Sequence, residues 1–438
     1  MSSNSSGPII YRRNDFTATE IYILCHSKLS GVTTIQFLGG CREVGRSAVS
    51  VGSVVLDYGM KPTDPPEFPL NGVSPSHVII SHGHLDHVGV APNLMDYDPV
   101  IYMTPPTRDL SAILLKDSMN LLEVPPYSRK EFMQFESNTR EIYYNEPKEV
   151  GEWEITFFNA GHIPGSASVH MSRDIDVLYT GDVKLEDTRL LEHADINYPE
   201  TDVLIIESTY YGVNHPPRKK LEEEFVEAVI ETIERGGHAI IPAFAVGRTQ
   251  EVLMILEKYG ITPFLDGMGK EVGKILERYP KYIRNTKRLR KALKKCIPVE
   301  RGKREDILKE PAAIVTTAGM LNGGPALFYI SRLYNDSKSK ILLTGYQVEG
   351  TNGDMALKRG EINLGMRTVS LKMGVEQYDF SAHADDAQLK ELVKKVADKG
   401  AEVVFTVHGE DTEGFSEWIR NEIGVESYSP KNGDVYVI

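Results

Sequence analysis

The stretch Ser81-His82-Gly83-His84-Leu85-Asp86-His87 packs three imidazoles and a carboxylate into the six positions 82–87, directly after the apolar run His77-Val78-Ile79-Ile80. Such a run ends as a buried strand ends, so the stretch reads as a loop at the end of a strand. His82 and His84 lie two apart in extended chain, which turns their rings the same way and lets them share one ion. Asp86 and His87 then turn away toward a second position. A lone histidine is usually a satisfied polar residue, whereas four ligand-type side chains at H-x-H-x-D-H spacing read as a metal site. The three cysteines, Cys25, Cys41 and Cys296, are far apart and form no C-x-x-C pair. Neither a disulfide framework nor a thiolate zinc site is indicated, and the metal chemistry is that of nitrogen and oxygen donors.

Other ligand-type residues repeat the strand-end placement. A strand from Trp153 to Phe158 leads to Gly161-His162, and one from Asp176 to Tyr179 ends in Thr180-Gly181-Asp182. The run Asp202 to Ile206 ends at Glu207, and Val403 to Val407 ends at His408. A sheet can aim such residues at a shared edge. Singly each would be an ordinary turn residue; in this order after the first motif, His162 and Asp182 are expected ligands. Phe380-Ser381-Ala382-His383-Ala384-Asp385 precedes a helix from Asp386 to Ala397.

The elements that must hold these residues alternate. Strands are expected at Val32 to Leu38, Ser53 to Tyr58 and Val100 to Met103, and Thr107 to Leu122 has helical spacing. After Glu207 the texture changes: an amphipathic helix from about Pro217 to Arg235 stops at Gly236-Gly237, and His238 to Pro242 reads as a strand. Gly247 and Arg248 open the next helix, either as a phosphate cradle or as a capped helix start with a surface arginine. Between Lys281 and Arg304 the chain holds eleven Lys or Arg and a single acid, Glu300. By itself this reads as a solvated helix face; with a polyanionic substrate it becomes an electrostatic track. Strands resume at Ala312 to Thr317 and Ile341 to Thr344, the second followed by Gly345-Tyr346-Gln347.

Length and composition bound the answer. At 438 residues two domains, or one with a large insertion, are expected. An apolar content of 41% with 25% charged residues is that of a soluble globular protein. The net charge of −13 argues against wrapping nucleic acid with the whole surface, so any such contact is local. No membrane span and no basic-then-apolar leader is read, and a cytoplasmic location is expected.

With these motifs in view, the chain resembles the metallo-β-lactamase superfamily and, within it, the β-CASP nucleases. H-x-H-x-D-H with His162 and Asp182 is similar to the superfamily's dinuclear site, and Glu207, His383 and His408 fall in the order of the three β-CASP motifs. The resemblance implies an α/β fold, an αββα metallo-β-lactamase sandwich built from residues 32–206 and completed by 365–438, with an α/β β-CASP domain, 207–364, inserted. Residues 1–31 receive no role. It further implies two Zn2+ per chain, with Mn2+ or Mg2+ as activators: His82, His84 and His162 on one, Asp86, His87 and His408 on the other, and Asp182 bridging. Asp86, Asp182, Glu207 and His383 become the catalytic set, with Glu207 and His383 near the leaving group. RNA contacts are expected from Gly247, Arg248, Tyr346, Gln347, Ser381 and His383. A histidine at the last motif, here His408, is what RNA-acting members carry.

Gly39-Gly40 through Arg46 and Phe380 through Asp385 make the chain resemble the archaeal ribonuclease J and cleavage-and-polyadenylation-factor-like groups. A compact ribonuclease J type implies 5′-to-3′ exonucleolysis of single-stranded RNA, with no membrane partner and a homodimer left open. The rivals are a single-strand RNA endonuclease, a small-molecule hydrolase and a non-catalytic scaffold. The long insertion with its basic run counts against the second, and the complete ligand set against the third.

Overall fold

The structure, a computed structural model, describes Tyr11, Arg12 and residues 32–438 apart from 64, 122, 123 and 366. Most of the 1–31 segment therefore lies outside the described residues, as does Leu122. The chain divides into two compact units, one of residues 1–185, 193–213 and 383–438, the other of 186–192 and 214–382.

The first unit follows from its apolar patterning. Val203 and Ile205 belong to one buried cluster and Leu204 and Ile206 to another, so the continuous run Val203–Glu207 is a strand covered on both faces. Two sheets share the first of these clusters. One runs, in spatial order, Tyr11–Arg12, Val435–Val437, Thr34–Gly39, Ala48–Val51, Val54–Leu56, His77–Ile79, Val100–Met103 and Thr139–Glu141. The other runs Glu426–Tyr428, Val403–Val407, Val203–Glu207, Asp176–Tyr179, Ala167–Ser172, Trp153–Asn159 and Lys148–Val150. Between them Phe37, Trp153, Phe157, Phe405 and Tyr436 are buried together.

The outer faces are covered by helices. Leu115, Phe132 and Phe135, from the helices Pro105–Leu121 and Arg129–Asn138, pack with Val78 and Ile101. Leu389, Leu392 and Val393 of the helix Asp386–Ala397 pack with Leu178, Leu204 and Val404. The result is the expected αββα sandwich.

The second unit is an open six-stranded sheet, every pair parallel, in the order Ile297–Pro298, Phe264–Asp266, Ala313–Thr316, Ala239–Pro242, Lys340–Leu343 and Gly374–Gln377. Helices Arg218–Glu234, Arg248–Lys258, Gly269–Leu276, Thr286–Lys295 and Gly324–Leu333 connect or flank its strands. The expected inserted α/β domain is thus present, but its limits differ from 207 and 364. The strand Gly374–Gln377 pairs with Lys340–Leu343, so the chain returns to the first unit only at His383. No helix among the described residues is long and apolar enough to cross a membrane.

Candidate metal centre

In the first unit the seven candidate ligands and Glu207 stand at the carboxyl ends of strands or in the loops that follow them. Asp176–Tyr179, Val203–Glu207 and Val403–Val407 are parallel neighbours, delivering Asp182, Glu207 and His408 to one edge. Trp153–Asn159 reaches the same edge two antiparallel steps away, and His162 follows it. In the facing sheet Val54–Leu56 and His77–Ile79 are parallel and end before Asp57 and the histidine loop. That loop is extended at His84 and then closes the single turn Leu85–Val88, which carries Asp86 and His87 and returns the His87 ring to 4.1 Å from that of His82, closer than the 5.0 Å between His82 and His84.

Asp182 lies at the centre. Its Oδ2 is 3.5 Å from His82 Nε2 and 3.5 Å from His162 Nε2, while its Oδ1 is 3.3 Å from His87 Nε2 and 3.6 Å from His408 Nε2. His162 Nε2 is 3.0 Å from His84 Nδ1, and Asp86 Oδ2 is 3.7 Å from His408 Nε2 and 4.0 Å from His87 Nε2. Donors around a tetrahedral zinc with bonds of about 2.0–2.1 Å stand roughly 3.3 Å apart, so both groups have the spacing of a ligand shell. Among the described residues, His82 Nε2, His408 Nε2 and Asp182 Oδ1 are buried and find no hydrogen-bond partner. Buried polar atoms are almost always paired, and lone pairs left pointing at one another are satisfied by a cation. The His/Asp cluster is a metal-binding cluster: His82, His84, His162 and Asp182 in one group, Asp86, His87 and His408 in the next.

Burial and charge set the protonation states. Burial pushes His82 well below the usual imidazole range and brings His84 down to about 4, so both offer lone pairs. Burial also acts on His87, but Asp182 and Asp57 outweigh it and hold that ring well above the usual range. For Asp182, burial would favour the neutral acid, yet His87, His408 and His383 keep the carboxylate ionised.

Several residues that sequence reasoning passed over hold the ligands in place. Asp57 is fully buried and accepts from Ser81 N (2.7 Å), Ser81 Oγ (2.7 Å), His87 Nδ1 (2.7 Å) and Tyr179 Oη (2.8 Å). Because Nδ1 of His87 donates to this carboxylate, Nε2 is the ring nitrogen turned to Asp182, and it becomes free to hold a cation once its proton leaves. Ser81 Oγ also lies 3.1 Å from His82 Nδ1, and Ser47 Oγ lies 2.8 Å from His408 Nδ1. Asp57 and His408 hold φ values of 58° and 49°, a region non-glycine residues rarely occupy and one that concentrates at functional sites. The one available signal for Asp57 was its position after a strand, the same placement that marked Asp182.

Glu207 and His383 form a third group beside Asp182. His383 Nδ1 lies 3.0 and 2.9 Å from the two Glu207 oxygens, and Glu207 Oε1 also accepts from Val183 N at 2.7 Å. His383 Nε2 is therefore turned inward, 3.9 Å from Asp182 Oδ2. Burial would lower this imidazole, but Glu207 and Asp182 raise it to about 9.

A family model for the metallo-beta-lactamase superfamily matches residues 51–243, one for the Beta-Casp domain matches 249–355, and one for the Zn-dependent metallo-hydrolase RNA specificity domain matches 368–430. The chain is 38% identical to "Probable RNase MJ4" of Methanocaldococcus jannaschii, over 91% of this chain and 99% of that protein. The chain belongs to the β-CASP ribonucleases of the metallo-β-lactamase superfamily. It is also 37% identical to "RNase aCSPSF2" of Saccharolobus solfataricus (91% of this chain, 84% of that one) and 36% identical to "RNase J-like protein" of Methanocaldococcus jannaschii (92% and 99%).

The second unit of this β-CASP ribonuclease holds the other expected contact residues, at the carboxyl edge of its parallel sheet. Gly247, Tyr346 and Ser381 follow the neighbouring strands Ala239–Pro242, Lys340–Leu343 and Gly374–Gln377. In open parallel sheets that edge is where ligands bind. Arg248 is not the surface arginine of the capped-start reading. It is nine-tenths buried, donates to the Thr344 carbonyl and lies 3.9 Å from Asp379. Gln347 is buried too, its Nε2 donating to the carbonyls of Gly319 (3.2 Å), Gly345 (3.0 Å) and Tyr346 (3.0 Å). Both therefore brace the loops that carry Tyr346 and Ser381.

Proposed function

We propose that this enzyme hydrolyses single-stranded RNA at a two-zinc centre and degrades it from the 5′ end toward the 3′ end. The observation that carries the two-metal reading is the pair of Asp182 oxygens, each set against a different pair of histidines at 3.3–3.6 Å. His82, His84 and His162 would hold one cation, Asp86, His87 and His408 the other, with Asp182 between them. When bound, the two ions supply Lewis acidity that acidifies a water and neutralises charge on the scissile phosphate.

The chain's own groups do the rest. Asp57, Ser81 and Ser47 fix the rings, so that little reorganisation accompanies the reaction. Asp86, the more exposed carboxylate of the cluster, orients the attacking water and takes its proton. Water oxygen bonds to phosphorus, the bond to the 3′ oxygen breaks, and His383 delivers the proton that this oxygen needs. The products are a 5′-phosphate and a 3′-hydroxyl. Glu207 holds His383 in its protonated form and correct orientation. Gly247, Tyr346 and Ser381 are the RNA contacts of the second unit, with Arg248 and Gln347 shaping them.

Near-complete coverage of an RNase J-like relative supports the exonuclease reading, and the similar identity to RNase aCSPSF2 supports an endonuclease. A 5′-labelled RNA separates the two: labelled mononucleotides are expected from the first, and long labelled fragments would establish the second.

A further inference from the structure

Acidic and basic residues are not evenly mixed along this chain. Residues 281–304 carry a local charge of +10, which leaves −23 on the other 414 residues of a chain whose total is −13. The centre of the segment is the helix Thr286–Lys295, which buries Leu289 and Ala292 and exposes Lys287, Arg288, Arg290, Lys291, Lys294 and Lys295. On a helix, residues three and four apart are neighbours. Lys287 therefore faces Arg290 and Lys291, and Lys291 faces Arg288, Lys294 and Lys295, and each like pair destabilises the helix.

A face that served only to stay solvated would relieve this with interleaved acids. Among the described residues only two acids reach it: Glu257 lies 2.5 Å from Lys291 and 3.6 Å from Lys295, and Glu277 lies 3.5 Å from Arg290. Two other basic residues of the segment are internal ties, Arg304 to Asp266 at 2.6 Å and Arg284 to Asp187 at 2.7 Å. Among the described residues, Lys281, Lys287, Arg288 and Lys294 make no ion pair. Just before the helix, Tyr279 and Tyr282 are half-buried and packed edge to face.

We propose that the outward face of the helix Thr286–Lys295 is a second RNA-binding surface. It takes the phosphate backbone of a substrate longer than the catalytic site holds and does not read its bases. A helix of this length, about 15 Å, spans a few phosphates. Cations without protein partners bind a polyanion by releasing its counterions, so the contact is sequence-independent and salt-sensitive. An acidic protein would need matched carboxylates in one geometry; a flexible polyphosphate chain does not. The proposal rests on the ribonuclease reading.

The test uses the full-length, metal-loaded chain with Lys287→Gln, Arg288→Gln and Lys294→Gln together. Its control removes equal charge elsewhere through Lys219→Gln, Lys220→Gln and Lys309→Gln. On a long single-stranded RNA the first variant should raise KM roughly tenfold or more with kcat unchanged. Its plot of log affinity against log salt should flatten by about 2 for three lost phosphate contacts. A short oligonucleotide should be cleaved as by the unaltered enzyme, and the control should behave like the unaltered enzyme on both RNAs.

An affinity and salt slope on long RNA equal to the control's would overturn the proposal, leaving the face to an acidic protein. An equal loss on short and long RNA would also overturn it, by placing the effect in the catalytic unit. Binding is measured on metal-free protein as well, so failure of the unaltered enzyme to cleave any RNA counts against the ribonuclease reading alone.

Discussion

Burial by itself would leave the histidines of the centre uncharged, and His82 and His84 follow that rule while His87 does not. With Asp57 on one ring nitrogen and Asp182 facing the other, His87 keeps a proton until a cation displaces it. Metal uptake is then coupled to proton release, and its sign is fixed: affinity rises with pH toward the raised value of His87 and falls as the solution becomes more acidic. Calorimetry of zinc binding at pH 7 in buffers of different ionisation heat should register about one proton released per chain from this ring. Asp57→Asn would leave the ring without its carboxylate anchor. Metal affinity should fall about 10- to 100-fold against a competing chelator, with the fold intact by circular dichroism. His383→Gln is expected to lower kcat by about 10²–10⁴ while metal content by elemental analysis stays at the unaltered level. Loss of zinc in that variant would make His383 a ligand instead of an acid.

At the scale of elements, close backbone approaches hold the ligand loops. A Cβ at Gly59 would sit 1.7 Å from the Asp86 carbonyl oxygen, against backbone that has no rotamer to escape into. Gly59→Ala should push the loop that carries Asp86 and His87 out of place, costing about 1–3 kcal/mol or more. Both the melting temperature and the bound metal should drop together. This scale also explains what could be read in advance. Val78 to Ile80 is an apolar run that ends one residue short of His82, and Val403 to Val407, interrupted only by Thr406, ends at His408, so each strand points to the candidate ligand behind it. Asp57 sits in Leu56-Asp57-Tyr58-Gly59, which looks like any strand ending in a turn, and its four hydrogen bonds come from residues up to 122 positions away. Gly374–Gln377 is short and half polar, and only its pairing with a buried strand makes it part of the second sheet, a partnership the local sequence does not show. Arg248 is similar: its spacing suggested a helix start, but its burial depends on Thr344 and Asp379, which are far along the chain.

For the molecule as a whole, every candidate ligand lies in the unit of residues 1–185, 193–213 and 383–438. Removing metal should loosen that unit alone, because a ligand that binds only the folded form stabilises what it touches. Hydrogen exchange before and after chelation should quicken at residues 82–88, 182–183 and 403–408. It should leave the strands Ala239–Pro242 and Ala313–Thr316 unchanged; equal loosening there would mean that the units unfold together.

The same unit is assembled from segments far apart in sequence, and two of its site residues, His383 and His408, arrive only with the last of them. During synthesis, a chain that has emerged as far as the second unit carries six of the seven candidate ligands but lacks His383 and His408. If those two residues act as proposed, a nuclease built in this order would stay inert beside the message being translated until residues 383–438 have docked, and a product cut short before them by a stalled ribosome would have no means to cut RNA.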